Sequence, residues 1–132
     1  MEFPYHNVEL LVVYENQRAP SSHIFRGSRH FSESALLPSD TCGPWSLPSG
    51  ESTTKTDLLL PYKDAGRIFS EWVIDMNGSQ LDAEGWQYAK DFDDKVWTES
   101  PRSKRGPCVR RRTWINYAAR VYTDGQHFWT IV

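Results

Sequence analysis

The sequence predicts an all-β, mostly antiparallel single domain, and three observations predict it. Aromatic residues make up 14% of the 132 residues, six each of Trp, Tyr and Phe, and such rings suit the pleated, half-buried surface of a strand. Eight Gly and eight Pro are spread at short intervals, so turn signals recur throughout. No segment carries a sustained helical period bounded by a cap at each end.

The elements follow in order. Asn7 to Glu15 is rich in β-branched residues and is the first predicted strand. Asn16 to His23 holds Pro20 and two serines and turns the chain. Ile24 to Trp45 is broken by Gly27, Pro38, Gly43 and Pro44, which limits it to short strands or irregular structure. Leu47 to Asp57 is polar, with Ser, Thr, Gly and Pro, and is expected to be a long mobile loop. Arg67 to Asp75 sets Ile68, Trp72 and Ile74 against Phe69 and Val73, so this strand is expected to be covered on both sides. Asn77-Gly78 marks a turn. Gly85 to Phe92 places Trp86, Tyr88 and Phe92 on one strand face. Val96-Trp97-Thr98 is a short apolar piece, and Pro101 to Pro107 is a basic loop. In Val109 to Tyr117, Arg110, Arg112 and Trp114 share one face, while Val109, Arg111, Thr113, Ile115 and Tyr117 share the other. Thr123-Asp124-Gly125 turns into a closing strand at His127 to Val132. One domain over 1–132 thus divides into an N-terminal part (7–62), a C-terminal part (67–117) and the closing strand.

Composition excludes several classes. The net charge is -2, from 15 Lys plus Arg and 17 Asp plus Glu, which argues against a DNA-coating protein and predicts no nucleic-acid partner. The longest apolar run, Leu10 to Tyr14, is far too short to span a bilayer. Met1-Glu2-Phe3-Pro4 lacks the basic start and apolar stretch of a secretory signal. A reducing compartment is therefore expected, with Cys42 and Cys108 as free thiols, although one disulfide between them is the alternative. His6, His23, His30 and His127 show no metal-ligand spacing and neither cysteine belongs to a CxxC, so no metal and no cofactor are expected. No GxSxG, HExxH or phosphate-binding glycine loop is present, and an enzyme is not expected.

Charge is segregated. Between Glu71 and Glu99 there are eight acids and two bases, and from Arg102 to Arg112 six bases and no acid. Opposite charges on facing strands would pin register and neutralise part of the basic cluster inside the fold.

Three motifs occur together: Val13-Tyr14-Glu15-Asn16-Gln17-Arg18; Trp72-Val73-Ile74-Asp75 with Glu84-Gly85-Trp86-Gln87-Tyr88-Ala89, Phe92 and Trp97; and Val109-Arg110-Arg111-Arg112-Thr113-Trp114-Ile115. This ordered set resembles the dysferlin domain of ferlins and fungal peroxisome-associated membrane proteins. The resemblance implies a β-sandwich-like body of long antiparallel strands held by arginines stacked on tryptophans. The chemistry agrees, because a planar guanidinium stacks on an indole more readily than an ammonium does. The stack is expected to comprise Arg18, Trp72, Trp86, Trp97, Arg110, Arg112 and Trp114. A chain of little more than this domain also resembles a stand-alone yeast member that acts in sporulation, which implies work at the prospore membrane or endoplasmic reticulum.

The expected function is a non-enzymatic, peripheral adaptor on an anionic phospholipid membrane, with phosphatidic acid the best guess, supporting membrane extension during spore formation. Head-group candidates are Arg102, Lys104, Arg105 and Arg111, since clustered cations donate several charge-assisted hydrogen bonds to a phosphate. Leu58, Leu59, Leu60 and Tyr62 are membrane-insertion candidates, with a buried strand or core cover as their structural reading. The alternative function is a protein-interaction module recruiting a lipid-transfer or scaffold partner. Its docking candidates are Asp91, Asp93 and Asp94, together with strand addition at His127 to Val132.

Overall fold

The computed structural model describes residues 5–20, 30–101 and 107–121. The fold is all-β and antiparallel: among the described residues six strands form one sheet, with one α-helix. Two long strands form its axis: β1, Tyr5–Ala19, and β6, Cys108–Val121. They pair antiparallel along almost their whole length, from Tyr5 opposite Val121 to Ala19 opposite Cys108, with one register shift between His6 and Glu9. The N-terminal and C-terminal parts of the sequence therefore share one sheet.

The outer edge of β1 pairs with β2 (Trp45–Ser46), Tyr14 opposite Ser46. The other edge of β6 pairs with three short strands in line: β3 (Ile68–Phe69), β4 (Val73–Ile74) and β5 (Trp86–Ala89). Ile68 faces Ala119, Val73 faces Ile115 and Trp86 faces Arg112. These three behave as one interrupted strand. The stretch read as a single strand, Arg67 to Asp75, is broken because the Ser70 hydroxyl takes a ladder position: its Oγ accepts the Tyr117 N–H at 3.0 Å. Residues 75–85 then loop out before the chain rejoins β6. Gly85 closes that loop at φ 89°, and a side chain there would meet Ile74 Cγ2 at 2.6 Å, so only glycine fits.

A helix stands where the sequence predicted none. Lys55–Asp64 is α1, capped by Thr54, whose side chain accepts the Asp57 N–H at 3.0 Å. The sequence does carry a signal for it: Thr54 followed three residues later by the acidic Asp57 is a capping pattern. The reading missed it because Leu58-Leu59-Leu60 has no helical period, Pro61 lies inside the helix, and α1 contains no fully buried residue. The expected loop over Leu47 to Asp57 is correspondingly shorter. It folds back through an isolated Ser46–Ser52 bridge and enters the helix at Lys55.

Alternation along β1 and β6 assigns every side chain to a face. The first face carries Leu11, Val13, Trp86, Tyr88 and Cys108, all buried. Trp86, Tyr88 and Cys108 form the core cluster, with Phe31 against it. Lys55 Nζ lies 3.4 Å from the Trp114 ring and 4.7 Å from Trp45, which fixes the start of α1 over this same face. The second face carries Val109 and Asn16, both buried, at one end. At its other end Leu10 and Tyr117, a cross-strand pair, are 53% and 41% exposed, with Val73 beside them at 50%.

Candidate functional site

The arginines of β6 divide by face. On the first face, Arg110 and Arg112 lie on either side of the Trp86 ring, 3.9 and 4.4 Å from its centroid. Each has an acceptor on β1: Arg110 Nε donates to Gln17 Oε1 at 2.8 Å, and Arg112 Nε donates to Glu15 Oε1 at 2.6 Å. Trp114 Nε1 donates to the same Glu15 oxygen at 2.9 Å. The Nε groups of both arginines and the Trp114 indole N–H are thus satisfied while the guanidiniums lie against the Trp86 ring. Asp82 anchors its rim, accepting the Tyr88 hydroxyl at 2.6 Å and the Trp86 N–H at 2.9 Å. Burial and the Asp82 carboxylate push the Tyr88 hydroxyl pKa up to about 12.

Arg111 points to the second face and has different company. Its guanidinium lies 3.9 Å from the Trp97 centroid and 4.6 Å from Tyr14. Its Nε is fully shielded and has no hydrogen-bond partner among the described residues. Burial pulls its pKa below the ordinary arginine value, and no carboxylate opposes that. Arg111 lines a cleft of about 170 Å³ with Tyr14, Thr41, Cys42, Ser49 and Phe92. Among the described residues no acid lines it. Burial, then the Asp40 charge, push the Cys42 thiol up to about 11, so it is neutral at physiological pH and gives Arg111 no counter-ion.

The cleft has a rigid wall. Asn16 Nδ2 donates to Gly43 O at 3.0 Å and to Ser46 Oγ at 2.9 Å, tying the turn before β2 to β1. Arg18 holds the other side. It forms a fork onto Asp40, through Nε to Oδ2 at 3.0 Å and through Nη2 to Oδ1, and Nη2 also reaches Asp91 Oδ1 at 2.8 Å. Asp40 in turn accepts the Leu37 N–H at 2.7 Å. No sequence signal joins Thr41, Cys42 and Ser49 to Arg111; only the pairing of β1 with β2 and β6 does.

The other candidates fall as follows. Trp86, Trp97, Trp114, Arg110 and Arg112 belong to guanidinium–indole contacts. Two stack members need correction. Arg18 is held by carboxylates and meets a phenyl ring, Phe92 at 5.8 Å, because it lies across from Val109 rather than beside an indole. Trp72 stands outside the guanidinium contacts of the described residues, with its Nε1 buried and unpartnered, since it sits at the break between β3 and β4. Leu58, Leu59, Leu60 and Tyr62 do not form a strand: they lie in α1, and of the four only Leu60 is exposed, the others being half-buried. Of the docking acids, Asp91 pairs with Arg18 and Asp94 Oδ2 accepts the Lys90 N–H at 3.0 Å, which leaves Asp93 as an exposed acid. Arg102, Lys104, Arg105 and the closing strand at His127 to Val132 lie outside the described residues. Cys42 and Cys108 are not joined in a disulfide. Among the described residues no helix is long and apolar enough to cross a membrane.

No family model matches the chain. It resembles a segment of tectonin beta-propeller repeat-containing proteins. Identity is 33% over 130 residues with tectonin beta-propeller repeat-containing protein 1 of Xenopus tropicalis, covering 93% of this chain and 10% of the relative. It is 33% over 128 residues with the Gallus gallus protein of that name, covering 90% and 9%. It is 36% over 107 residues with the tectonin beta-propeller repeat-containing protein of Drosophila melanogaster, covering 78% and 7%. The chain thus spans about a tenth of the length of the curated relatives it matches. These relatives, from a frog, a bird and a fly, overturn the dysferlin and fungal sporulation assignment. The physical reason is that alternating arginine and tryptophan on paired strands is a general way to close a small sheet, and its presence does not specify a family.

Proposed function

We propose that the chain is a non-enzymatic docking module that binds an anionic phospholipid surface through the second face of its sheet. One observation carries this reading: the exposed apolar residues Leu10, Val73 and Tyr117 share that face with Arg111, a cation without a carboxylate partner among the described residues. Apolar contact and attraction to acidic lipid reinforce one another. A sheet half-face whose apolar side chains are exposed among the described residues suits a broad surface better than a single small ligand.

Liposome flotation tests it. The chain should float with phosphatidylcholine vesicles containing phosphatidic acid or phosphatidylserine and stay behind with phosphatidylcholine alone. Leu10→Thr with Tyr117→Thr should abolish flotation, and both sites are exposed and keep a strand-compatible, uncharged pair. Equal flotation on neutral and acidic vesicles, or none on either, removes the reading.

The second reading is a protein-interaction module recruiting a partner to a membrane. It is favoured by relatives named for beta-propeller repeats in chains about ten times longer, a setting in which an apolar half-face would meet another folded domain. Vesicle binding that survives the double substitution, with loss of a defined partner, would favour it.

A further inference from the structure

We propose that the Arg111 cleft is a binding site for a phosphate monoester. The inference deepens the docking reading, with which it shares Arg111, but it concerns a small ligand in the cleft rather than a surface and stands or falls by its own test.

The argument begins with charge. A half-buried guanidinium normally finds a carboxylate, since an uncompensated cation is costly to shield from water. Arg18, Arg67 and Arg112 each have one, and Arg110 has the neutral acceptor Gln17. Arg111 has none among the described residues, and its buried Nε lacks even a neutral acceptor. Of the 17 acids in the chain, only Glu2 and Asp124 lie outside the described residues. The segments 21–29 and 102–106 contain no acid at all.

The lining then selects the ligand. Tyr14, Thr41, Ser46 and Ser49 bring hydroxyls to the cleft, and Cys42 brings a protonated thiol. Ser46 Oγ already accepts from Asn16, so its own proton is available to donate. One planar cation surrounded by hydroxyl donors, with no acid, suits an oxyanion and repels a metal ion. Four hydroxyl-bearing side chains and a thiol beside the cation offer more donors than the two oxygens of a carboxylate need, and suit the three free oxygens of a phosphate monoester. The volume, about 170 Å³, lies below the ~300–1,000 Å³ of sites for drug-sized ligands. It accommodates a phosphoryl group, with the rest of the molecule left outside. The stacking of Arg111 between Trp97 and Tyr14 fixes the guanidinium plane before any ligand arrives, so little ordering is lost on binding.

The ligand's phosphoryl group could belong to a lipid head group or to a soluble phosphate ester, and the experiment separates these. The full chain, labelled with nitrogen-15, is titrated at constant ionic strength with inorganic phosphate, glycerol 3-phosphate, monomeric dihexanoyl phosphatidic acid and, as a planar control, acetate. Saturable amide shifts are expected at Thr41, Cys42, Ser49, Gly50 and Arg111 with the phosphates, and at least tenfold weaker binding with acetate. Arg111→Gln should weaken phosphate binding at least tenfold. Ser49→Glu, on an exposed turn where folding is not at stake, should do the same by placing a carboxylate at the mouth. Tighter binding of the lipid than of glycerol 3-phosphate assigns a head group, and equal binding assigns a soluble ester. No saturable shift with any phosphate, acetate binding as well as phosphate, or binding that survives both substitutions overturns the proposal. Phosphate binding without flotation would leave this site standing and remove the membrane reading.

Discussion

On one face of β6, Arg110 and Arg112 enclose Trp86 and each donates Nε to a β1 side chain; on the other, Arg111 stacks between Trp97 and Tyr14 and its Nε meets no acceptor among the described residues. The three are consecutive and chemically identical. What separates them is the residue across the strand pair: Gln17 and Glu15 face the outer two, and Asn16 faces the middle one. Asn16 spends its amide on Gly43 and Ser46 instead. One face is thereby a closed structural ladder and the other holds an unmatched cation in an open cleft. A basic run in sequence therefore says little about availability until the cross-strand partner of each residue is known.

The strongest way to break the comparison is to remove the ring that both satisfied arginines share. Trp86 is 2% exposed, and Trp86→Ala should cost about 3–5 kcal/mol, as large-to-small substitutions of buried aromatics do. Denaturant unfolding measures it. A loss below 1 kcal/mol would mean that the ladder does not hold the sheet. The same substitution should leave the Arg111 cleft assembled in whatever fraction stays folded, because Trp97 and Tyr14 belong to the other side.

A smaller effect sharpens the contrast between the faces directly. Arg112→Met keeps the length of the side chain but strips Glu15 of its charged donor, in a pair whose side chains are only 21% and 16% exposed. It should cost about 2 kcal/mol, the usual worth of a hydrogen bond to a charged group. Arg111→Met should be near neutral or stabilising, since replacing an unmatched shielded charge by an apolar chain of similar volume removes a desolvation cost. Equal losses in the two variants, measured side by side by thermal and denaturant unfolding, would show that Arg111 has a partner in the folded chain.

How much of this was legible beforehand depended on the range of the interaction. Period-two alternation put Trp86 and Tyr88 on one face and split Arg110 and Arg112 from Arg111, because side-chain direction in a strand is a local property. The two long strands were legible for the same reason, although pairing extends them to Ala19 and Val121. Helix α1 was not, since Lys55 docking on Trp45 and Trp114 supplies what its weak apolar pattern lacks. Nor was the single interrupted strand of β3, β4 and β5, whose breaks depend on Ser70 and Gly85 meeting β6 and Ile74. Arg111 stood among the head-group candidates, but its cleft draws residues from three separate segments that only the pairing of β1 with β2 and β6 brings together.

The smallest expected effect concerns acid. Asp82, on the ladder face, has its carboxyl below the ordinary value of 3.8: burial alone would raise it, but hydrogen bonds from Tyr88, Trp86 and Glu84 outweigh that. Asp40, at the wall of the second face, is also lowered, with burial opposed by Arg18 and the Leu37 N–H. Unfolding returns both groups to the ordinary value, so the unfolded chain takes up protons first as pH falls. The stability they contribute is whole above roughly pH 5 and drains as pH drops through and below the carboxylate range. Denaturation midpoints taken from pH 7 to pH 2 should therefore fall on the acid limb. Asp82→Asn and Asp40→Asn should each flatten that limb, whereas Arg111→Met should leave its slope unchanged, because no carboxylate belongs to the Arg111 contacts. A steeper or shallower limb in Arg111→Met would reveal an acid coupled to that arginine and would bring the two faces of β6 closer in kind than their geometry indicates.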